Sequence, residues 1–230
     1  MAGRRVWDPG LVDEVFLLWE AELIKRILCV ERLSNVGDKC KKLKSGYFFF
    51  RRAEQGKLEA VTRGIVAPVR WFRPPDGFYK VNFDAALFEN LGCAGIGMAV
   101  RDSDGAIIAV LSQRIPLPLS VEMAEAMAVR RDVLFVQEMC LSKVLVEGDC
   151  LRVVSAMNSL VCCNTLYGNV IEESRRQSSQ FQACKFIHVR REGNKLAHAL
   201  ARRAVSSADF NVWVEELPFD LECVLQNDIS

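Results

Sequence analysis

The sequence predicts a mixed α/β domain: three antiparallel strands, then two parallel additions, in one five-stranded mixed sheet flanked by helices. Two observations carry this prediction. Three short strand-like runs, joined by tight turns, cover residues 80–88, 92–101 and 106–111. After Pro118 the pattern changes to helices that alternate with single strands. Antiparallel strands followed by strand–helix units are typical of one mixed sheet covered by helices.

The three-stranded meander is indicated by alternation and by turn residues. Apolar side chains alternate with polar or small ones from Lys80 to Phe88, as a strand with one buried face requires. A glycine-rich second strand follows at 92–101, and Asp102–Gly105 then supplies a turn because an Asp-Gly pair tolerates positive φ. The pattern therefore predicts that these three consecutive strands are neighbours in one sheet.

The second half of the domain reads as helix–strand units. Ser120 is the expected N-cap of a helix that continues to about Met139. Val144–Val146 is a short apolar run without alternation, which suits a strand buried on both faces. The remaining predicted elements are a helix after Asp149, a helix over 166–179, a strand over 184–190 and a last helix over 194–205.

Composition shifts at Pro68, and a loop with two prolines precedes the first strand. The predicted organisation is an N-terminal, largely helical segment (1–66), a linker (67–79), the α/β domain (80–206) and a C-terminal tail (207–230). Within the first segment, residues 11–33 show the apolar stripe of an amphipathic helix.

Composition excludes several classes of protein. Half of the residues are apolar, so the chain can bury a core and cannot be disordered throughout. The net charge of +1 gives no bulk attraction to phosphate, so nucleic-acid binding would need a local basic patch. Nine cysteines without a Cys-x-x-Cys pair, and only two histidines, argue against zinc and favour reduced thiols in the cytosol or nucleus. No apolar run approaches the ~20 residues of a membrane helix, so we expect a soluble intracellular protein with no membrane partner.

Three acidic residues are placed where they could meet. Asp84 lies in the first strand, Glu125 sits among apolar neighbours on the helix after Ser120, and Asp149 follows the fourth strand. Ligands of such sheets gather at strand carboxyl ends, and a buried carboxylate needs a partner. Each acid has an ordinary alternative: Asp84 as a solvent-facing strand residue, Glu125 as a side chain that snorkels, and Asp149 as a helix cap.

Converging carboxylates repel one another unless a cation neutralises them. Ligation by oxygen alone suits Mg²⁺ or Mn²⁺ rather than zinc, and we expect no small-molecule cofactor. Two such ions, about 4 Å apart, would activate a water and stabilise the leaving oxygen of a phosphodiester.

Five motifs occur in order along the domain: KVNFDAA (80–86), GIGMAVRDSDG (95–105), AEAMAV (124–129), VEGDC (146–150) and HVRREGNKLAHALARRA (188–204). In this order they resemble the ribonuclease H-type, reverse-transcriptase-like domain of plant non-LTR retroelement-derived proteins. The resemblance implies a ribonuclease H-like fold. Residues 7–52 are similar to the segment that precedes this domain in the same elements, with Asp38 and Gly46–Phe48 as matching positions. The N-terminal segment is therefore expected to be a truncated, degenerate remnant of a reverse transcriptase.

The resemblance also implies which residues form the site. Asp84, Glu125 and Asp149 fall on three catalytic, metal-binding carboxylates, whereas the fourth family carboxylate falls on His198. Imidazole is a poorer partner for Mg²⁺ than a carboxylate. His198 would be the fourth catalytic residue, or alternatively a hydrogen-bonding group on a helix that faces the sheet.

A basic patch near the end of the domain is the candidate nucleic-acid contact. Its core is Arg190, Arg191, Asn194 and Lys195, whose cationic members could neutralise phosphates. Asn194 has the alternative of capping the last helix. Arg202 and Arg203 could belong to the patch or to a solvated face.

Three functions are compatible with these residues. The first is a Mg²⁺- or Mn²⁺-dependent endonuclease that hydrolyses the RNA strand of RNA–DNA hybrids, with hybrid selectivity from ribose 2′-hydroxyls and groove shape. The second is a catalytically weakened nucleic-acid-binding module. The third is a domesticated or decaying domain that serves only protein contacts, or none.

Overall fold

The computed structural model describes residues 70–206 and 210–229. The predicted N-terminal segment, its amphipathic helix and the start of the linker lie outside the described residues.

The described chain folds into one six-stranded sheet with helices. The strands are β1 (Tyr79–Phe88), β2 (Cys93–Arg101), β3 (Ile107–Pro116), β4 (Lys143–Gly148), β5 (Ala183–His188) and β6 (Phe210–Val214). The helices are α1 (Val121–Glu138), α2 (Leu151–Asn158), α3 (Gly168–Ser178), α4 (Lys195–Arg203) and α5 (Glu222–Ile229). Three short 3₁₀ turns lie at Glu89–Leu91, Arg191–Gly193 and Phe219–Leu221.

The sheet order is β5-β4-β1-β2-β3-β6. Strand β1 pairs antiparallel with β2, and β2 pairs antiparallel with β3, as the meander predicted. Strands β4 and β5 add in parallel on the other side of β1. The mixed α/β fold is confirmed, and β1 lies in the interior of the sheet with neighbours on both edges.

The expectation of five strands was wrong, because Phe210–Val214 forms a sixth strand at the edge beside β3. The segment has only five residues, too few for its alternation to stand out from a tail. Its apolar side chains and those after it complete a cluster on the sheet: Trp213, Leu217, Val224 and Leu225 pack against a buried group that includes Val110, Leu200 and Leu221. Burial of this cluster against the sheet orders the chain up to α5.

Helix α4 packs unusually close to the sheet because two glycines line β2. A Cβ at Gly97 would lie 2.1 Å from the Ala197 carbonyl oxygen, and one at Gly95 would lie 2.0 Å from that of Ala201. The hydroxyl of Ser112 on β3 also donates to the Leu200 carbonyl at 2.9 Å. The glycine-rich run therefore sets the distance between α4 and β2, the strand that pairs with β1 beside Asp84.

Two local predictions can be compared with the backbone. Ser120 caps α1, with its Oγ accepting from the Met123 N–H at 3.1 Å, as expected. Asp149 does not cap α2, because the N-cap position is Cys150 and no side-chain cap bond forms. Among the described residues, seven cysteines are free of disulfides, and no helix is long and apolar enough to cross a membrane.

Candidate active site

The structure brings Asp84, Glu125 and Asp149 together. Each offers a carboxylate oxygen, and these oxygens all lie within 4.8 Å of one another. Asp84 and Glu125 are buried, and Asp149 is half-buried. The expectation that three sequence-distant acids would meet thus corresponds to one cluster in the fold.

Strand register explains why two of the acids are neighbours. In the parallel pair β1–β4, Asn82 lies opposite Glu147. Two residues further along each chain, Asp84 and Asp149 follow on the same side of the two backbones, because side chains alternate along strands. Glu125 reaches them from the second turn of α1, whose start is fixed by the Ser120 cap.

Burial and the charges of neighbouring acids raise the proton affinity of Glu125 and Asp149. Burial raises the pKa of Glu125 well above its usual value, and the charges of Asp84 and Asp149 raise it further. Burial, followed by the charge of Asp84, raises the pKa of Asp149 to about 6, although Arg191 opposes the shift. Glu125 and Asp149 therefore hold protons tightly when no cation neutralises the cluster.

The three side chains fit a divalent metal ion. Glu125 Oε2 is buried and has no hydrogen-bond partner in the structure, which is costly for a carboxylate unless a cation lies nearby. All three donors are carboxylate oxygens, the ligands that Mg²⁺ and Mn²⁺ prefer. The Asp84–Glu125–Asp149 cluster can thus hold such an ion, whereas its donors do not favour zinc.

His198 contacts the cluster through Asp84. Its Nδ1 lies 2.5 Å from Asp84 Oδ2. The guanidinium Nη2 of Arg191 lies 3.0 Å from the other ring nitrogen, Nε2, and 3.1 Å from Nδ1. The His198 side chain thus lies within hydrogen-bonding distance of Asp84 on β1, and its role as a fourth catalytic residue stays a prediction.

Asn194 lies at the start of α4 but does not cap it with its side chain. Its side chain is buried, and its Nδ2 donates to the Phe83 carbonyl at 2.7 Å. Its Oδ1 accepts from Asn82 Nδ2 at 3.3 Å. Asn194 therefore fixes the first turn of α4 to the residues just before Asp84, and its amide is directed into the protein.

Sequence reasoning missed the buried polar residues around Asn82. Asn82 Nδ2 also donates to Glu147 Oε2 at 3.2 Å, and Glu147 forms a 2.7 Å ion pair with Lys80. Trp71 Nε1 donates to Asn82 Oδ1 at 3.1 Å. The available signal was the polar face of β1, where Lys80 and Asn82 share the alternation of Asp84 although β1 is an interior strand.

The basic residues near α4 divide into two groups. Arg190, Arg191 and Lys195 are exposed, and Arg191 reaches the acidic cluster through His198. Arg203 instead pairs with Asp220 and lies over the Trp213 ring, while Arg202 is exposed. Arg191 borders the cluster, whereas Arg203 secures the C-terminal part of the fold.

Solved structures show which fold this is. Ribonuclease H1 from the halophilic archaeon Halobacterium salinarum is 23% identical, with a TM-score of 0.53 over 57% of this chain and 99% of that one. The N-terminal ribonuclease H domain of a Mycobacterium tuberculosis protein is 21% identical, with a TM-score of 0.52 over 56% of this chain and 94% of that one. LC11-RNase H1, solved with an RNA/DNA hybrid, is 22% identical, with a TM-score of 0.50 over 56% and 96%. The domain thus has the fold of ribonucleases H.

The family follows from the sequence comparison. A family profile described as reverse transcriptase-like matches residues 82–204, more than half of the chain. This chain belongs to that family. A search of curated proteins found no match. The matched region contains Asp84, Glu125, Asp149 and His198, so the whole cluster lies within the family domain.

Proposed function

We propose that this protein is a Mg²⁺- or Mn²⁺-dependent endonuclease that hydrolyses the RNA strand of RNA–DNA hybrids. The observation that carries the proposal is the convergence of three carboxylates within 4.8 Å, together with the orphaned oxygen of Glu125. Support at the level of the fold comes from the ribonucleases H, one of which was solved with an RNA/DNA hybrid.

Each residue of the site has a role in this proposal. Asp84, Glu125 and Asp149 would hold the cation, which when bound would polarise a phosphodiester and lower the pKa of water. His198 orients the Asp84 carboxylate through the 2.5 Å hydrogen bond. Asn194 fixes the backbone of Phe83 and keeps Asp84 in place from the other side.

The exposed cations at the start of α4 provide the substrate contact. Arg191 lies beside the cluster, and Arg190 and Lys195 are exposed close to it in the sequence. All three can bind phosphates of the nucleic-acid backbone. Such contacts position a strand without reading its bases. Selectivity for a hybrid then comes from ribose 2′-hydroxyls and groove shape.

Full-length protein should cleave a labelled RNA–DNA hybrid with Mg²⁺ or Mn²⁺ and leave double-stranded DNA intact. Asp84→Asn removes a ligand while keeping the shape and should abolish cleavage. Asp104→Asn makes the same change at an exposed turn and should not affect it. No cleavage with either metal, with hybrid binding retained, would eliminate the enzyme in favour of a binding module.

The binding module is the second candidate, and His198 favours it. An imidazole at this position leaves the cluster with less negative charge than a fourth carboxylate would supply. Loss of both cleavage and hybrid binding would leave only protein contacts.

We further infer from the sequence resemblance a plant, retroelement-derived origin, with residues 1–66 as a degenerate segment and an intracellular location. Limited proteolysis of the full chain tests the segment: cleavage confined to residues before 67 would separate it from a stable domain, and uniform resistance would contradict this organisation.

A further inference from the structure

A row of buried side chains, formed by Trp71, Asn82 and Asn194, leads to the backbone just before Asp84. Trp71 Nε1 donates to Asn82 Oδ1 at 3.1 Å, and Asn82 Nδ2 donates to Asn194 Oδ1 at 3.3 Å. Asn194 Nδ2 then donates to the Phe83 carbonyl at 2.7 Å. The three residues are 4%, 1% and 1% exposed, so these hydrogen bonds form in a region of low dielectric, where an unpaired polar group is costly.

The partners of Asn82 fix the orientation of both amides in the row. An indole nitrogen can only donate, so Asn82 must turn its oxygen towards Trp71 and its NH₂ group away. That NH₂ group also donates to Glu147 Oε2 at 3.2 Å. Asn194 must then present its oxygen to Asn82, which leaves its NH₂ group to meet the Phe83 carbonyl. The row therefore has one polarity, because inversion of either amide would bring two donors or two acceptors face to face.

The row ends where β1 loses one of its strand pairings. Pairing between β1 and β4 stops at Asn82 and Glu147. Phe83 supplies the next carbonyl of β1, and Asp84 follows it directly. The hydrogen bond from Asn194 therefore ties the start of α4 to β1 at the residue before Asp84, beyond the last pair that β1 forms with β4.

We propose that Asn82 and Asn194 are positioning residues, which transmit the orientation set at Trp71 and Glu147 to the Phe83 carbonyl and so hold Asp84 for the ion. This gives Asn82 and Trp71 a role in the site, although both lie further along the row from Asp84 than Asn194 does. The effect on cleavage rests on the proposed nuclease function, whereas the polarity of the row does not.

The polarity of the row can be inverted by an exchange of groups. Asn82→Asp combined with Glu147→Gln places the carboxyl and the amide in exchanged positions, so the two side chains can still pair. The carboxylate introduced by Asn82→Asp cannot donate to Asn194. The Asn194 amide must then turn over to donate to this carboxylate, which directs its oxygen at the Phe83 carbonyl and breaks that hydrogen bond.

Nuclear magnetic resonance detects this hydrogen bond directly and without a metal. In the full-length protein, through-hydrogen-bond coupling should join Asn194 Nδ2 to the carbonyl carbon of Phe83, and it should disappear in the double variant. Asn158→Leu is the matched control and should retain the coupling, because Asn158 Nδ2 donates to a different strand carbonyl, that of Phe186 on β5, at 2.8 Å. No coupling in the parent protein, or coupling that persists in the double variant, would overturn the proposal.

Mn²⁺ binding, measured below the unfolding transition of each variant, reports the effect on the site. Asn194→Leu removes the donor without adding charge and should weaken Mn²⁺ binding by about tenfold, as should the double variant, whereas Asn158→Leu should change it by less than about twofold. Asn82→Leu repeats the test if the double variant does not fold. Parental affinity in Asn194→Leu, or a loss no larger than that of Asn158→Leu at equal stability, would show that the row only supports the fold. A parent protein that binds no Mn²⁺ would also overturn the proposal.

Hybrid cleavage separates the positioning role from the nuclease. In Asn194→Leu, kcat should fall by about tenfold and KM should change by less than about twofold, because the buried row does not contact the substrate. Weakened Mn²⁺ binding in this variant, together with a parent protein that cleaves no hybrid, would refute the nuclease and leave the positioning role standing. Cleavage by the parent protein, with unchanged Mn²⁺ binding and kcat in Asn194→Leu, would refute only the positioning role.

Discussion

Gly97→Ala should disturb the acidic cluster, although glycine has no side chain that could contact the acids. Gly97 lies directly opposite Asp84 in the β1–β2 register. The added Cβ would lie 2.1 Å from the Ala197 carbonyl oxygen and 2.2 Å from the Ala201 nitrogen. Both are backbone atoms of α4, so no flexible side chain can move aside, and the whole helix must shift.

The size of the shift follows from these distances. Contacts below 3.0 Å are essentially never seen for a real Cβ, so α4 must retreat by about 1 Å. The 2.5 Å hydrogen bond between His198 and Asp84 would then exceed the hydrogen-bonding range. We expect a loss of about 2 kcal/mol in the free energy of unfolding, from overpacking of a close-packed contact. Displacement of His198 and Arg191 should lower kcat about 100-fold.

Urea unfolding and hybrid cleavage measure the two effects separately. Gly77→Ala is the matched control, because Gly77 has a φ of +76° but nothing within 4 Å of an added Cβ. It should cost about 1 kcal/mol through backbone strain and leave kcat unchanged. If Gly97→Ala matched the parent protein in both stability and kcat, the close packing of α4 would not control the site and the reasoning would be refuted.

Three further predictions concern buried charge. Glu125→Gln should weaken Mn²⁺ binding. It should also stabilise the metal-free protein at pH 8 by about 1 kcal/mol or more, because it removes a charge that burial disfavours. Urea unfolding in the presence of a chelator measures this gain in stability. Because the pKa of Asp149 is raised to about 6 in the fold, the free energy of unfolding of the metal-free protein should fall as pH rises from about 4 to about 6. For the same reason Mn²⁺ binding at pH 6 should release protons, which calorimetry in two buffers measures. Asp228→Asn leaves Arg101 buried without its 2.6 Å partner and should cost about 3 kcal/mol in unfolding free energy.

Glu125→Gln and Asp228→Asn each have a control on the same helix, and the pH dependence is tested at Asp149 itself. Glu122→Gln, one turn before Glu125, removes an exposed ion pair with Arg152 and should change stability by less than about 1 kcal/mol. Asp149→Asn should flatten the pH dependence of the free energy of unfolding. An unchanged slope would mean that other groups cause the pH dependence. Glu222→Gln on α5 is exposed and should be neutral, so an equal loss for it and for Asp228→Asn would argue against the buried ion pair.

Local pattern was sufficient for most of the elements. Alternation from Lys80 to Phe88, the Asp-Gly turn and the Ser120 cap depend on contacts within a few residues, and the structure confirms the meander and the helix after it. The apolar run at Val144–Val146 is predicted to be a strand buried on both faces, and the three side chains of this run are buried in β4. The short strand β6 was not predicted, because its stability derives from pairing with β3 and from the cluster around Leu221. Neither contact is visible in the local sequence pattern.

The sequence by itself determined which acids could form the site. Asp84, Glu125 and Asp149 follow from strand ends, helix periodicity and motif order, and the register of β1 with β4 brings them together. Only the tertiary structure decided what His198 does. It lies 114 residues from Asp84, and its hydrogen bond depends on how closely α4 approaches β2 over Gly95 and Gly97. The buried contacts of Asn82 and Asn194 depend on the same approach. Helix-to-sheet distance is the sum of many packing contacts between sequence-distant residues, so it is a property of the folded core.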